Sequence, residues 1–184
     1  MDYVKVAVNY AEKSIMVLRP QDWFAAGILA VIVASVAARL RKRAQINICQ
    51  AIALVLLVTY IFLVFSSTVF SRHCTGVHSY RLLPFWSYRE IYKEDRMELL
   101  VENLLNVILL MPVGFLLPVI SRRMKLRHII LVAFVMSYTI EVLQLIFCKG
   151  LFEWVDDPFH NVLGAAAGYA VAFGFHCAIS QKEP

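Results

Sequence analysis

The chain has 184 residues, of which 60% are hydrophobic and 17% charged, a balance that leaves a soluble globule too little polar surface and points to lipid as the solvent. The formal net charge of +5 is concentrated in short links between apolar stretches, so it marks membrane topology and argues against a nucleic-acid partner. No cofactor is expected: there is no HExxH, paired-cysteine or GxSxG pattern, and a zinc site built from Glu141, Asp157 and His160 has only generic spacing.

Residues 1–20 form an amphipathic segment, with Val4, Val8, Ala11, Ile15 and Leu18 at helical spacing and Lys5, Asn9, Glu12 and Lys13 off that stripe. Such a stripe rests in the membrane interface or packs on the bundle, and both readings stay open. It lacks the basic start and apolar run of a cleavable signal.

Residues 21–184 read as one integral membrane domain. Five apolar stretches follow in order: Trp23 to Ala38, Ile48 to Phe70, Val107 to Ile120, Ile129 to Phe147, and Asn161 to Ile179. With their flanks each reaches the roughly 20 residues that span about 30 Å of hydrocarbon. The expected fold is therefore all-α, a polytopic transmembrane bundle of about five helices plus the amino-terminal amphipathic helix. Pro112 and Pro118 fall inside the third stretch, where a membrane helix tolerates them if its neighbours satisfy the freed carbonyls.

Arg39, Arg41, Lys42 and Arg43 link helices one and two, and Arg122, Arg123, Lys125 and Arg127 link three and four. Short basic loops stay cytoplasmic, which puts the amino terminus, residues 71–102 and residues 148–160 outside and the carboxy terminus inside. In the long outer segment the basic residues are balanced by acidic ones. Ser87 followed by Glu90 is a capping box there, predicting a helix that runs toward helix three.

Glu141 is the ionisable residue set well inside an apolar span, six positions from Phe147 and so roughly 9 Å deep. At that depth a carboxyl faces the bundle and not lipid. Gln144 and Ser137 share its face by helical spacing. Asn103 and Asn106 are neighbours on helix three, and Asp156, Asp157, His160 and Asn161 open helix five. Asp157 before Pro158 also reads as an ordinary N-cap. Three helices thus bring polar side chains to the same side of the membrane, either as a functional site or as interhelical hydrogen bonding. Gly164, Gly168 and Ala172 form a small-residue stripe for close packing. Of the four cysteines, Cys49 and Cys177 lie in apolar stretches, whereas Cys74 and Cys148 share the outer side, where a bridge between them is left open.

The run from Glu102-Asn103-Leu104-Leu105-Asn106 through Met111-Pro112-Val113-Gly114 to Pro118 resembles the first signature of VanZ-like proteins. Glu141-x-x-Gln144, Lys149-Gly150-Leu151-Phe152-Glu153, Asp156-Asp157, His160-Asn161 and Gly164 to Gly168-Tyr169 resemble the second, and the likeness covers residues 82–173. Lys149-Gly150 stands where many members carry Arg, and Val155 is an extra residue before the paired aspartates. The resemblance implies a role in a bacterial cell envelope, since the family is named for a protein linked to resistance to the glycopeptide teicoplanin. It implies no particular reaction.

Three functional readings follow. In the first, the protein binds or handles a membrane lipid or a lipid-linked cell-wall component through an outward-facing polar pocket. There Glu141 is the anchor, Asn103, Asn106, Gln144, Asp156 and Asn161 orient a headgroup, and Arg81, Arg89 and Lys149 offer charge to a phosphate. In the second it is a membrane enzyme with Glu141 or Asp157 as general base and His160 as acid partner. In the third it is a structural or accessory subunit. Oligomeric state is not legible.

Overall fold

A computed structural model describes residues 17–74, 79–149, 151–153 and 155–180, without the side chains of Ser79, 151–153 and 176–180. Most of the amphipathic amino-terminal segment lies outside the described residues. The elements are α1 (Pro20–Lys42), α2 (Ile48–Phe65) with a π-helical extension (Ser66–Phe70), β1 (Ser79–Arg81), α3 (Trp86–Glu94), α4 (Met97–Ile120), α5 (Leu126–Ile146), β2 (Leu151–Glu153) and α6 (Asp156–Ser180).

Four helices are long and apolar enough to cross a membrane: α1, α2 with its extension, α4 and α5. Their outer faces expose Phe24, Val31, Leu56, Leu104 and Leu131, side chains that suit a lipid environment. The fifth long helix, α6, packs along α4 and against α5. A core of Leu57, Leu110, Val113, Ile129, Ala133 and Ala165 joins α2, α4, α5 and α6.

The α4–α6 seam is the tightest contact, and glycine makes it so. A Cβ on Gly164 would run into the Val107 carbonyl, one on Gly168 into the Met111 carbonyl, and one on Gly114 into the Ala165 carbonyl. The small-residue stripe is therefore a backbone-to-backbone contact, as its spacing predicts. Pro112 and Pro118 lie within an unbroken α4. Beside the first of them Tyr60 donates its hydroxyl proton to the Leu109 carbonyl at 2.8 Å.

Hydrogen bonds fix which ends of the helices meet. Gln50 near the start of α2 donates to the Ile120 carbonyl at the end of α4 (2.8 Å), so both arginine-rich links lie at one end of the bundle, the basic end. At the opposite end Ser71 donates to Asp22 of α1 (2.6 Å), and Lys149 beyond α5 donates to the Phe70 carbonyl (2.9 Å). There β1 and β2 pair in parallel, Tyr80 opposite Phe152, tying the segment before α3 to the segment before α6.

One local expectation is corrected. Ser87 does not cap a helix: α3 begins at Trp86, after Phe85 in the left-handed region (φ 54), and its amide groups are met from α6 as described below. A helix does stand here and leads toward the next one, as expected, with a turn between the two. Asp95, at φ 51, ends α3 and turns the chain into α4.

Candidate functional site

Asp156 and Asp157 are adjacent in sequence, but their carboxylates part in opposite directions. Asp156 is buried and accepts from the Phe85 amide (2.6 Å), the Ser87 amide (3.1 Å) and the Ser87 hydroxyl (2.6 Å). It thereby supplies the N-terminus of α3 with the acceptor that a local cap provides elsewhere. Asn103 extends the chain, donating to the Ser87 hydroxyl oxygen at 3.1 Å.

His160, one turn into α6, belongs to this first cluster. Its Nδ1 lies 2.6 Å from the Asp156 carbonyl oxygen, which can only accept, so Nδ1 carries the proton. In the neutral ring Nε2 then accepts from the Tyr88 hydroxyl, also at 2.6 Å. Both ring nitrogens are thus engaged in holding α3 to α6.

Asp157 is not an N-cap. Phe159 donates to the Val155 carbonyl, so α6 starts at Asp156 and both aspartates stand in its first turn, with Pro158 where no amide proton is needed. The Asp157 side chain turns to the bundle instead. It accepts from Asn106 of α4 at 2.6 Å and shares a hydrogen bond with the Glu141 carboxyl of α5, with Glu102 and Arg72 as its next charged neighbours.

Glu141 is 1% exposed, in keeping with the inward orientation expected of a carboxyl at that depth. A hydrogen bond between two carboxyl groups requires at least one proton on the pair, so the pair carries at most one negative charge while the bond persists. One turn deeper, Asn161 donates to the Ser137 hydroxyl at 2.8 Å. Asn161 is four residues beyond Asp157 and Ser137 four before Glu141, so the two pairs form successive rungs between α5 and α6. The Asn161 side-chain oxygen is buried and has no partner among the described residues.

A third cluster braces α2. Gln144, buried, donates to the Thr68 carbonyl at 3.0 Å, inside the π-helical turn, at whose end the Ser71 amide bonds the Ser66 carbonyl five residues back. Lys149 closes the same turn through Phe70. This turn is not among the expected elements, although Ser66-Ser67-Thr68 in an otherwise apolar span is the signal that marks it.

The nine polar residues expected to gather lie toward one end of the bundle, in three neighbouring hydrogen-bonded clusters. Asn106, Glu141 and Asp157 are joined directly. Asn103, Asp156 and His160 anchor α3, and Gln144 holds α2. Arg81 stands apart, 3.4 Å from Glu90 and over the Trp86 ring at 4.7 Å. Cys74 and Cys148 meet at this end. Partial desolvation and the neighbouring Cys74 push the Cys148 thiol above the usual range.

An α-helical bundle with buried carboxyl and amide pairs at one end defines the class, a polytopic helical membrane protein with a polar interhelical site. A family model described as VanZ/LLP1 matches residues 51–176, and the chain belongs to that family. The match extends past the sequence signatures to take in α2. No curated protein matches the chain, and no solved structure does.

Proposed function

We propose that this VanZ/LLP1-family protein sits in a bacterial plasma membrane with its polar site on the extracytoplasmic side, where it binds or handles a lipid-linked or surface component of the cell envelope. The observation that carries the proposal is the Glu141–Asp157 pair held by Asn106. Neutral interhelical hydrogen bonds hold helices together at about 0.6–2 kcal/mol each. A charged carboxyl costs up to about 2.5–3.5 kcal/mol at the bilayer centre on insertion scales, and part of that cost falls on an acid set inside a span, so a paired acid is a poor choice for adhesion alone.

In this reading the pair exchanges its shared hydrogen bond for hydroxyl or amide groups of a headgroup. The Asn161 side-chain oxygen, without a partner among the described residues, adds an acceptor, and exposed Arg72 supplies charge for a phosphate. The basic end faces the cytoplasm by the positive-inside rule. Reporter fusions in residues 121–125 and 148–150 test that orientation, which is lost if the second gives the cytoplasmic signal.

An acid–base enzyme acting on a lipid-linked precursor is the second reading, favoured by a carboxyl pair that shares a hydrogen bond. Glu141 or Asp157 is then the base, and His160 enters only after leaving Tyr88.

The experiment is Glu141→Gln, expressed at the wild-type level in a teicoplanin-susceptible bacterium, with copurifying polyprenyl phosphate lipids measured after nanodisc extraction. Binding predicts about tenfold less retained lipid, the equivalent of one charge-assisted hydrogen bond, and lower teicoplanin tolerance. The enzyme reading predicts lost tolerance with lipid still retained. Full tolerance and full retention remove the carboxyl pair from the function.

A further inference from the structure

The basic end holds a feature that the acid site does not use. A cavity of about 420 Å3 opens there between α2, α4 and α6, lined by Cys49, Phe115, Pro118, Tyr169 and Phe173, with Arg122 and Lys125 at its mouth. Its size falls in the range of ligand pockets, about 300–1,000 Å3. It lies where α4 ends at Ile120 and α5 begins at Leu126, the level at which an apolar span gives way to a basic link.

The polar groups around the mouth divide into those already satisfied and those that are not. Asn47 and Gln50 cap each other at 2.9 Å in both directions, and the Gln50 amide holds the Ile120 carbonyl. They are scaffold. Arg122 and Lys125 have no acidic partner among the described residues, whose ion pairs are Arg19–Asp22, Arg81–Glu90 and Arg96–Glu90. Among the described residues no Asp or Glu lines the cavity. Both α2 and α5 begin at this mouth, so the positive ends of two helix dipoles add to the two cations.

We infer that this cavity binds an anionic phospholipid of the adjoining leaflet, with an acyl chain against the aromatic lining and the phosphate against Arg122 and Lys125. The occupant follows from the shape of the site. Free phosphate satisfies the two cations but leaves the apolar lining unfilled, and a zwitterionic headgroup brings a positive charge against them. A single negative headgroup on a hydrocarbon chain meets both demands. The inference stands independently of the role proposed for Glu141.

Cys49 gives a direct reporter, because it lines the cavity and is exposed. The full chain is placed in nanodiscs of phosphatidylcholine alone or with phosphatidylglycerol, and modification of Cys49 by a maleimide is timed. Phosphatidylglycerol is expected to slow Cys49 modification while leaving Cys74 unchanged, and native mass spectrometry is expected to find one phosphatidylglycerol retained. The double variant Arg122→Gln/Lys125→Gln is expected to weaken retention about thirtyfold, near fivefold for each charge. Arg39→Gln/Arg41→Gln, which removes the same charge away from the cavity, is expected to retain it.

The inference is overturned if phosphatidylcholine protects Cys49 equally, or if inorganic phosphate alone does so. It is overturned equally if the Arg39/Arg41 variant loses as much lipid as the Arg122/Lys125 variant, since that describes a diffuse basic surface. Cys49 protection is read on the unmutated chain, so a variant that fails to fold does not obscure the result.

Discussion

The α4–α6 seam and the peripheral helix α1 show two ways of holding a helix in lipid. Along the seam the backbones touch, because Gly114, Gly164 and Gly168 leave no side chain between them. On α1 a Cβ added at Gly27 meets nothing within 4 Å. That helix packs chiefly on α2, burying Ala26 and Ala37 and fastening its start through Asp22 to Ser71. Lipid offers apolar side chains no reason to leave it, so close packing and hydrogen bonds decide which helices are central. The acid site is built on the seam, where its geometry is least free to drift.

The largest expected effect comes from forcing the seam apart. Gly164→Val meets the Val107 backbone and is expected to destabilise by at least about 3 kcal/mol, read as loss of monodisperse protein after detergent extraction; a normal elution profile would break the comparison. Asp156→Ala comes next. It removes the acceptor for two amides and a hydroxyl of α3, so a loss of about 3 kcal/mol and faster hydrogen exchange over Trp86–Glu94 are expected, with α4 and α6 still protected.

On the peripheral helix the effects shrink. Ser71→Ala removes one hydrogen bond to Asp22, which keeps the Arg19 amide at 2.8 Å, so about 1–2 kcal/mol is expected, confined to exchange in the first turns of α1. Gly27→Ala is expected to change stability by less than about 1 kcal/mol, in the stabilising direction, because it gains helix propensity and meets no neighbour. A large loss at Gly27 would mean that α1 is seated as tightly as the seam.

The contrast between these regions was only partly visible in the sequence. Hydropathy located the spans, and helical spacing correctly put Ser137, Glu141 and Gln144 on one buried face of α5. The glycine stripe was legible because spacing alone defines it. Which polar group meets which was not legible, because it depends on how each helix is rotated against its neighbour. Asp156-Asp157-Pro158 illustrates this: local pattern made the second aspartate a cap, but the first serves a different helix and the second turns to Asn106 and Glu141. Ser87 with Glu90 three residues on likewise matched a capping box, but Glu90 is taken by Arg96 at 2.7 Å and Ser87 by Asp156. A long-range acceptor outcompeted the local one, and no short motif reports that.

The seam also has a consequence for how the protein is made. The partner of α4 is α6, and α5 is synthesised between them. Until α6 emerges, the glycine face at Gly114 and the amide of Asn106 have none of the contacts that later define them. A nascent chain at that stage presents an incomplete groove to lipid or to the insertion machinery. Closing the groove delivers Asp157 to Glu141 in the same movement, so assembly of the bundle and completion of the acid site are one event.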